Sequence, residues 1–199
     1  MKDVVILVLA AGQSSRMGGL DKLMQKVDGV PLLRRVAQSA RAVAPVIVAL
    51  PPAPNPRYAC LDGMDIAKVP IPDAAEGINA SLRGALAAVP PQAQAVMILL
   101  ADLPDLTTQD MAQVLGARNT HPDCLIWRGA TKDGKPGHPV VFDRRLFADL
   151  SQLTGDAGAQ SVVRAYAQHV HLHRLPDQHA LLDLDTPEDW AAWRAGRQD

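Results

Sequence analysis

The sequence predicts an α/β chain built on a doubly wound, mostly parallel sheet, and three observations carry that expectation. Residues 4–9 and 95–101 are apolar on both faces, as central strands of a parallel sheet must be. Strand-like runs alternate with helix-period runs along the chain, the pattern that winds helices onto both sides of a sheet. Both strong strands also run directly into chemistry-bearing residues, and doubly wound sheets bind ligands at the carboxyl ends of their strands.

In order, the first strand covers residues 4–9. Pro31 then opens a helix whose apolar residues Leu32, Leu33, Val36, Ala37, Ala40, Val43 and Ala44 recur at helical spacing, with Arg34, Arg35, Gln38 and Arg41 on the other face. Residues 46–50 form a second strand, ended by Pro51, Pro52, Pro54 and Pro56, which cannot continue a ladder and read as a loop. A weaker strand lies near 66–69. A helix over 79–89 points Leu82, Ala85 and Leu86 inward. The strand at 95–101 ends on Asp102, and Thr107 or Thr108 caps the next helix. Strands follow at 124–127 and 138–142, helices near 144–150 and 159–168, and a strand at 170–175. The last helix opens at Thr186-Pro187-Glu188-Asp189, where a cap, an N1 proline and first-turn acids fall in register.

The chain has 199 residues, 48% of them hydrophobic, which suits one α/β domain with a full core. A formal net charge of −1 argues against nucleic acid and anionic membranes as partners. Cys60 and Cys124, far apart, give neither a disulfide framework nor zinc spacing, which fits a reducing cytoplasm. The opening apolar run is too short to cross a bilayer and lacks a signal peptide's layout, so a soluble cytoplasmic protein is expected.

After Leu9 comes Ala10-Ala11-Gly12-Gln13-Ser14-Ser15-Arg16-Met17-Gly18-Gly19-Leu20-Asp21-Lys22. Small residues at a strand end let backbone N–H groups approach an anion closely. Arg16 and Lys22 then supply positive charge, the first as a fork and the second as a point charge. The stretch matches neither the G-x-x-x-x-G-K-[ST] phosphate loop nor the G-x-G-x-x-G dinucleotide fingerprint. Asp102 is a carboxylate at a strand tip, suited either to a metal-bound nucleotide or to capping the turn before Thr107. Asp183 and Asp185 are read as one face of a short strand through Leu182 and Leu184; Asp185 is open to a metal role or to helix capping around Thr186. His169, His171 and His173 alternate on one strand face with Val170 and Leu172 on the other. Three ligands on one flat strand suit zinc poorly, so the histidine face is expected to be solvated. Trp127, Trp190 and Trp193 are packing residues.

The loop resembles the signature L-A-[AG]-G-x-[GS]-x-R-M-G-x-x-K of MobA-like nucleotidyltransferases, and the chain is most similar within that family to the molybdenum cofactor cytidylyltransferases. The resemblance runs from about Val5 to Trp190. It implies a Rossmann-like nucleotidyltransferase fold in a single domain over 1–199, with a nucleotide-binding half over about 1–105 and an acceptor-binding half over about 106–199. The activity it implies is Mg²⁺-dependent transfer of CMP from CTP to the terminal phosphate of molybdopterin, releasing pyrophosphate. Alternatives are GTP as the nucleotide, another phosphorylated acceptor such as a sugar phosphate, or a cofactor-delivery chaperone without turnover. A molybdoenzyme or its maturation factor is an implied partner.

Carried residue by residue, the resemblance puts Arg16, Lys22 and Asp102 in catalysis. Nucleotide binding falls to Leu9, Ala10, Ala11, Gly12, Ser14, Arg16 and Lys22, with Asp73, Gly77, Asn79 and Ser81 from a second segment. Asp102 and Asp185 are the metal ligands, and His138, Gly155, Asp156 and Gly158 line the acceptor pocket. Ala11 is the clue to the base, because the guanine-using branch typically has Gly there. Two departures stand out. Gln160 occupies a position where the family often has Arg, and Gly18-Gly19-Leu20-Asp21-Lys22 resembles the guanylyltransferase branch.

Overall fold

The computed structural model describes residues 3–197. Nine strands form in chain order: β1 (Val4–Leu9), β2 (Lys26–Val27), β3 (Val30–Pro31), β4 (Val46–Leu50), β5 (Ala67–Pro70), β6 (Ala95–Leu100), β7 (Ile126–Ala130), β8 (Pro136–Asp143) and β9 (Val170–Arg174). The α-helices are α1 (Leu32–Arg41), α2 (Pro56–Cys60), α3 (Ile78–Ala87), α4 (Thr108–Thr120), α5 (Phe147–Ser151), α6 (Gln160–Ala165) and α7 (Pro187–Ala195). Seven strands make one sheet in the order β5-β4-β1-β6-β8-β7-β9. β8 alone runs against its neighbours, pairing antiparallel with β6 and β7, while the other pairings are parallel. The mostly parallel, doubly wound expectation holds.

The two-residue period of β1 divides the core. Val4, Ile6 and Val8 face one layer with Leu32, Leu33 and Val36 of α1, Met111 and Val114 of α4, and Trp190 of α7. Val5, Leu7 and Leu9 face the other with Ala80, Leu82 and Ala85 of α3, Leu150 of α5 and Val162 of α6. Every residue of β1 is buried, which is why its sequence shows no polar alternation.

Several sequence expectations need correction. The proline run is not all loop: Asn55 caps α2, its side chain accepting from the Arg57 N–H, and Pro56 sits at N1, where it gives up no needed donor. A small hairpin, β2 with β3 around Asp28-Gly29, went unread because its strands are two residues long. Residues 182–185 form no strand; in place of a ladder, Leu184 donates to the Asp102 carbonyl. The histidine face is not simply solvated either. His171 stacks on His121 at the end of α4 with ring centroids 3.6 Å apart, whereas Leu172 on the opposite face is 41% exposed. β9 is an edge strand, and α4 covers the side that carries His171.

Candidate active site

The carboxyl ends of β1 and β6 are adjacent in register, Leu9 opposite Leu100, so the loop after β1 and Asp102 after β6 meet at one sheet edge. There the Lys22 Nζ lies 2.5 Å from Asp102 Oδ2 and 2.5 Å from Asp185 Oδ1. Arg16, 70% exposed, reaches Asp185 Oδ2 at 2.7 Å. The two cations and two acids singled out in the sequence thus form one cluster, although Asp185 arrives 163 residues after Lys22. Burial works against the Lys22 charge, but Asp102, and Asp185 after it, outweigh that cost and hold the ammonium above its ordinary pKa. Asp183 stands beside the cluster, its carboxyl pushed up by burial and by the Asp185 and Asp102 charges.

The loop itself is held by a residue that sequence reasoning missed. Arg57, 3% exposed, donates from Nη1 to the carbonyls of Ala10 (2.6 Å) and Gly12 (2.8 Å). Its Nε and Nη2 form a two-pronged pair with the Asp21 carboxylate at 2.7 and 2.8 Å. Ser14, in the left-handed region at φ 54°, accepts the Lys22 N–H on its Oγ and donates to Asp21. Asp21 also accepts the Leu23 N–H, which starts the turn carrying Lys22. A buried guanidinium bonded along its whole fork fixes the loop's course before any ligand arrives. The signal available in the sequence was the Asn55-Pro56 helix start, which places Arg57 but not its partners. At Gly12 an added Cβ would meet nothing within 4 Å, so the loop is open where a ligand would come close.

A continuous trough runs along this edge. Its middle, about 460 Å³, is lined by Leu9, Ala10, Ala11, Gly12, Lys22, Gly77, Ser81 and Asp102 among others. One flank, about 540 Å³, shares Ala11, Gly12, Ala74 and Ala75 and adds Ser14, Pro51, Pro52 and Pro72. The other flank, about 250 Å³, shares Leu9, Ile78, Leu100 and Asp156 and extends over Ile98, Arg128, His138, Val140, Gly158 and Gln160. Gly77 is required at the junction: its φ is +110°, and a Cβ there would lie 2.6 Å from Asp156 Oδ1. That oxygen accepts the Ile78 N–H at the start of α3, so Asp156 is a positioning residue as well as a wall of the trough.

Other expected site residues fall elsewhere. Asn79 is 1% exposed and turned toward the neighbouring loop, its Nδ2 donating to the Thr154 carbonyl, so it braces the pocket instead of reaching a nucleotide. Asp73 is exposed on the rim before Ala74. Gly155 adopts φ +73° and shapes the turn that carries Asp156. His138 lines the flank over Ile98 and Val140. Burial lowers its pKa to about 4, helped by the nearby Arg128 charge and opposed by the Ile98 carbonyl 3.5 Å from Nδ1. The ring is therefore neutral near pH 7.

Among the described residues no group of three or more His, Cys, Asp or Glu side chains could hold a metal. Asp102 and Asp185 nevertheless suit Mg²⁺, which takes one or two carboxylates and completes its shell with phosphate and water oxygens. The Oδ1 of Asp102 is buried without a hydrogen-bond partner, an oxygen still able to accept a ligand cation.

An open loop of small residues, two cations held on two carboxylates and a wide trough at the strand ends fit a nucleotidyltransferase. The chain belongs to the MobA-like NTP transferase domain family, whose profile matches residues 6–171. A molybdenum cofactor guanylyltransferase of Cereibacter sphaeroides is 30% identical over 203 residues, covering 93% of this chain and 92% of that protein. The crystal structure of a homologue of Mycobacterium tuberculosis Rv0371c, from Mycobacterium sp. strain JC1, superposes with a TM-score of 0.86 at 27% identity and covers all of both chains. Rv0371c of M. tuberculosis H37Rv, solved in complex with manganese, matches with a TM-score of 0.75 at 28% identity, over 96% of this chain and 97% of that one. No described helix is long and apolar enough to cross a membrane.

Proposed function

We propose that this enzyme transfers a nucleoside monophosphate from GTP to the terminal phosphate of a molybdopterin-type acceptor. The observation that carries the transfer chemistry is the Lys22 ammonium held between Asp102 and Asp185 at the mouth of the trough. An acceptor phosphate oxygen attacks the α-phosphorus, a new P–O bond forms, and the bond to the bridging oxygen breaks to release pyrophosphate. The attacking phosphate is already ionised near neutral pH, so no general base is needed. Lys22 and Arg16 neutralise charge on the triphosphate, and the loop fixed by Arg57 supplies backbone donors; positioning and electrostatics do the rest. Asp102 and Asp185 would hold a divalent ion, Mg²⁺ or Mn²⁺, which would supply positive charge to offset that of the triphosphate. The nucleotide fills the middle and the proline-lined flank, and the acceptor fills the flank over His138. On this reading residues 1–105 carry mainly the nucleotide and 106–199 mainly the acceptor, within one cytoplasmic domain in which Asp185 returns to the nucleotide end.

GTP is favoured because a relative covered over nine-tenths of its length is named for guanylyl transfer, and because Gly18-Gly19-Leu20-Asp21-Lys22 resembles that branch. A second reading, CTP, rests on one observation. The buried Ala11 lines both the middle of the trough and the proline flank, where its methyl narrows the space for a purine. Pyrophosphate release measured with each nucleotide, Mg²⁺ and the molybdopterin acceptor tests both. Higher kcat/KM with GTP supports the first, higher kcat/KM with CTP the second, and binding without release would return the protein to the delivery-chaperone class.

A further inference from the structure

The acceptor flank contains a charge that the proposed chemistry has not used. Arg128 sits in β7 on the face that carries Ile126 into the α3–α5–α6 layer, opposite Val140 of β8, which is itself opposite Ile98 of β6. Its side chain therefore lies on a floor of Ile98, Leu100, Val140 and Phe142. Its Nε donates to the Gly137 carbonyl at 2.8 Å, and among the described residues neither Nη atom has a hydrogen-bond or carboxylate partner. The contrast with Arg57, which uses its whole fork internally, is direct. Burial pulls the Arg128 pKa below its ordinary value.

The surroundings do not compensate this charge. His138 next to it is neutral near pH 7. Asp156, across the flank, holds one oxygen on the Ile78 N–H. Gln160, which also lines the flank, carries no charge, so Arg128 is the one fixed cation among the side chains that line it. A half-buried guanidinium over an apolar floor, anchored by one edge and presenting two Nη atoms, is matched by a planar or tetrahedral oxyanion that both Nη atoms can grip.

We infer that Arg128 is the specificity-determining anion-binding residue of the acceptor flank, taking a phosphate group of the acceptor on its two Nη atoms. The inference rests on the reading of this flank as the acceptor site. It separates acceptors by chemistry: a phosphate monoester is retained, and the same compound dephosphorylated is not.

The probe is inorganic phosphate, titrated calorimetrically into protein already saturated with nucleoside triphosphate and Mg²⁺. Wild type should bind one phosphate. Arg128→Gln should weaken that binding by at least about tenfold, the scale of a charge-assisted hydrogen bond, and Arg128→Lys, which keeps the charge and loses the fork, should fall between. Moving the cation to another lining position in Arg128→Gln/Gln160→Arg should restore part of the loss. Triphosphate affinity should be the same in all four proteins. In turnover, Arg128→Gln should raise the acceptor KM and leave the nucleotide KM unchanged. Phosphate binding that is absent in wild type, or unchanged in Arg128→Gln, overturns the inference; because Arg128→Lys keeps the charge, a folding loss confined to Arg128→Gln does not obscure the result. If phosphate binding depends on Arg128 but no nucleotide is transferred to a molybdopterin acceptor, this inference stands and the proposed acceptor fails.

Discussion

The two ends of the trough solve opposite electrostatic problems. At the β1 loop, three cations (Arg16, Lys22, Arg57) meet three carboxylates (Asp21, Asp102, Asp185), and every cation has an anionic partner within the protein. At the acceptor end, an apolar floor carries one guanidinium with unpaired Nη atoms and one neutral imidazole. The first region is preorganised, its charges already fixed by neighbours before a triphosphate arrives. The second is completed by its ligand. On the proposed reading, a triphosphate brings its own cation and needs a rigid cradle, whereas the phosphate of an acceptor supplies the partner that this pocket lacks.

The sharpest way to break this comparison is to remove the hub of the preorganised end. Arg57→Met should cost about 3–5 kcal/mol of folding stability, because it leaves the partly buried Asp21 carboxylate without its cation. Chemical denaturation would read the loss; a change below about 1 kcal/mol would mean that the loop does not depend on it. Lys22→Ala should cut turnover at least about a hundredfold in a folded protein, since it removes charge neutralisation in the transition state. Near-normal kcat would remove Lys22 from the chemistry.

The unpaired end makes its own prediction through pH. His138 has a folded pKa of about 4, below its unfolded value of 6.5, so the unfolded chain binds the extra proton first as the solution is acidified. The stability this protects is complete above pH 6.5 and lost as pH falls toward 4, reaching a loss of about 2 kcal/mol by pH 5. His138→Gln should flatten that part of the stability profile; an unchanged slope would show that another group carries it. The smallest effect is at Ala11. Ala11→Gly should raise the ratio of kcat/KM for GTP over CTP by a factor equivalent to about 1 kcal/mol. A ratio that does not move would show that the methyl stands clear of the base.

Much of this architecture was legible in the sequence because its signals are local. The signature loop, the Asp102 strand tip and the Thr186 cap each lie within fourteen consecutive residues, and each apolar run is shorter still. Where the reading failed, the information was long-range or sheet-dependent. Arg57 gains its meaning from carbonyls 45 and 47 residues away, and nothing near it in sequence indicates them. Arg128 is a lone polar residue in a strand, and only the order of β6, β8 and β7 puts it beside Ile98 and His138. The histidine face was misjudged because alternation shows which residues share a side but not which helix lies over it. Residues 182–185 alternate like a strand, yet the position next to them is taken by the β6 end and its loop, which offer single hydrogen bonds instead of a ladder.

The reversed direction of β8 has a consequence for how such an enzyme diversifies. In the parallel strands, residues at the ligand edge come at a strand's end; in β8 they come at its beginning, so Gly137 and His138 follow directly from the turn at 131–135. Insertions or substitutions in that turn remodel the wall that carries His138 while leaving β1, its loop and the Arg57 anchor in their own part of the chain. The reversed strand thus places the two ends of the trough on separate stretches of chain, so that one can be altered without touching the other.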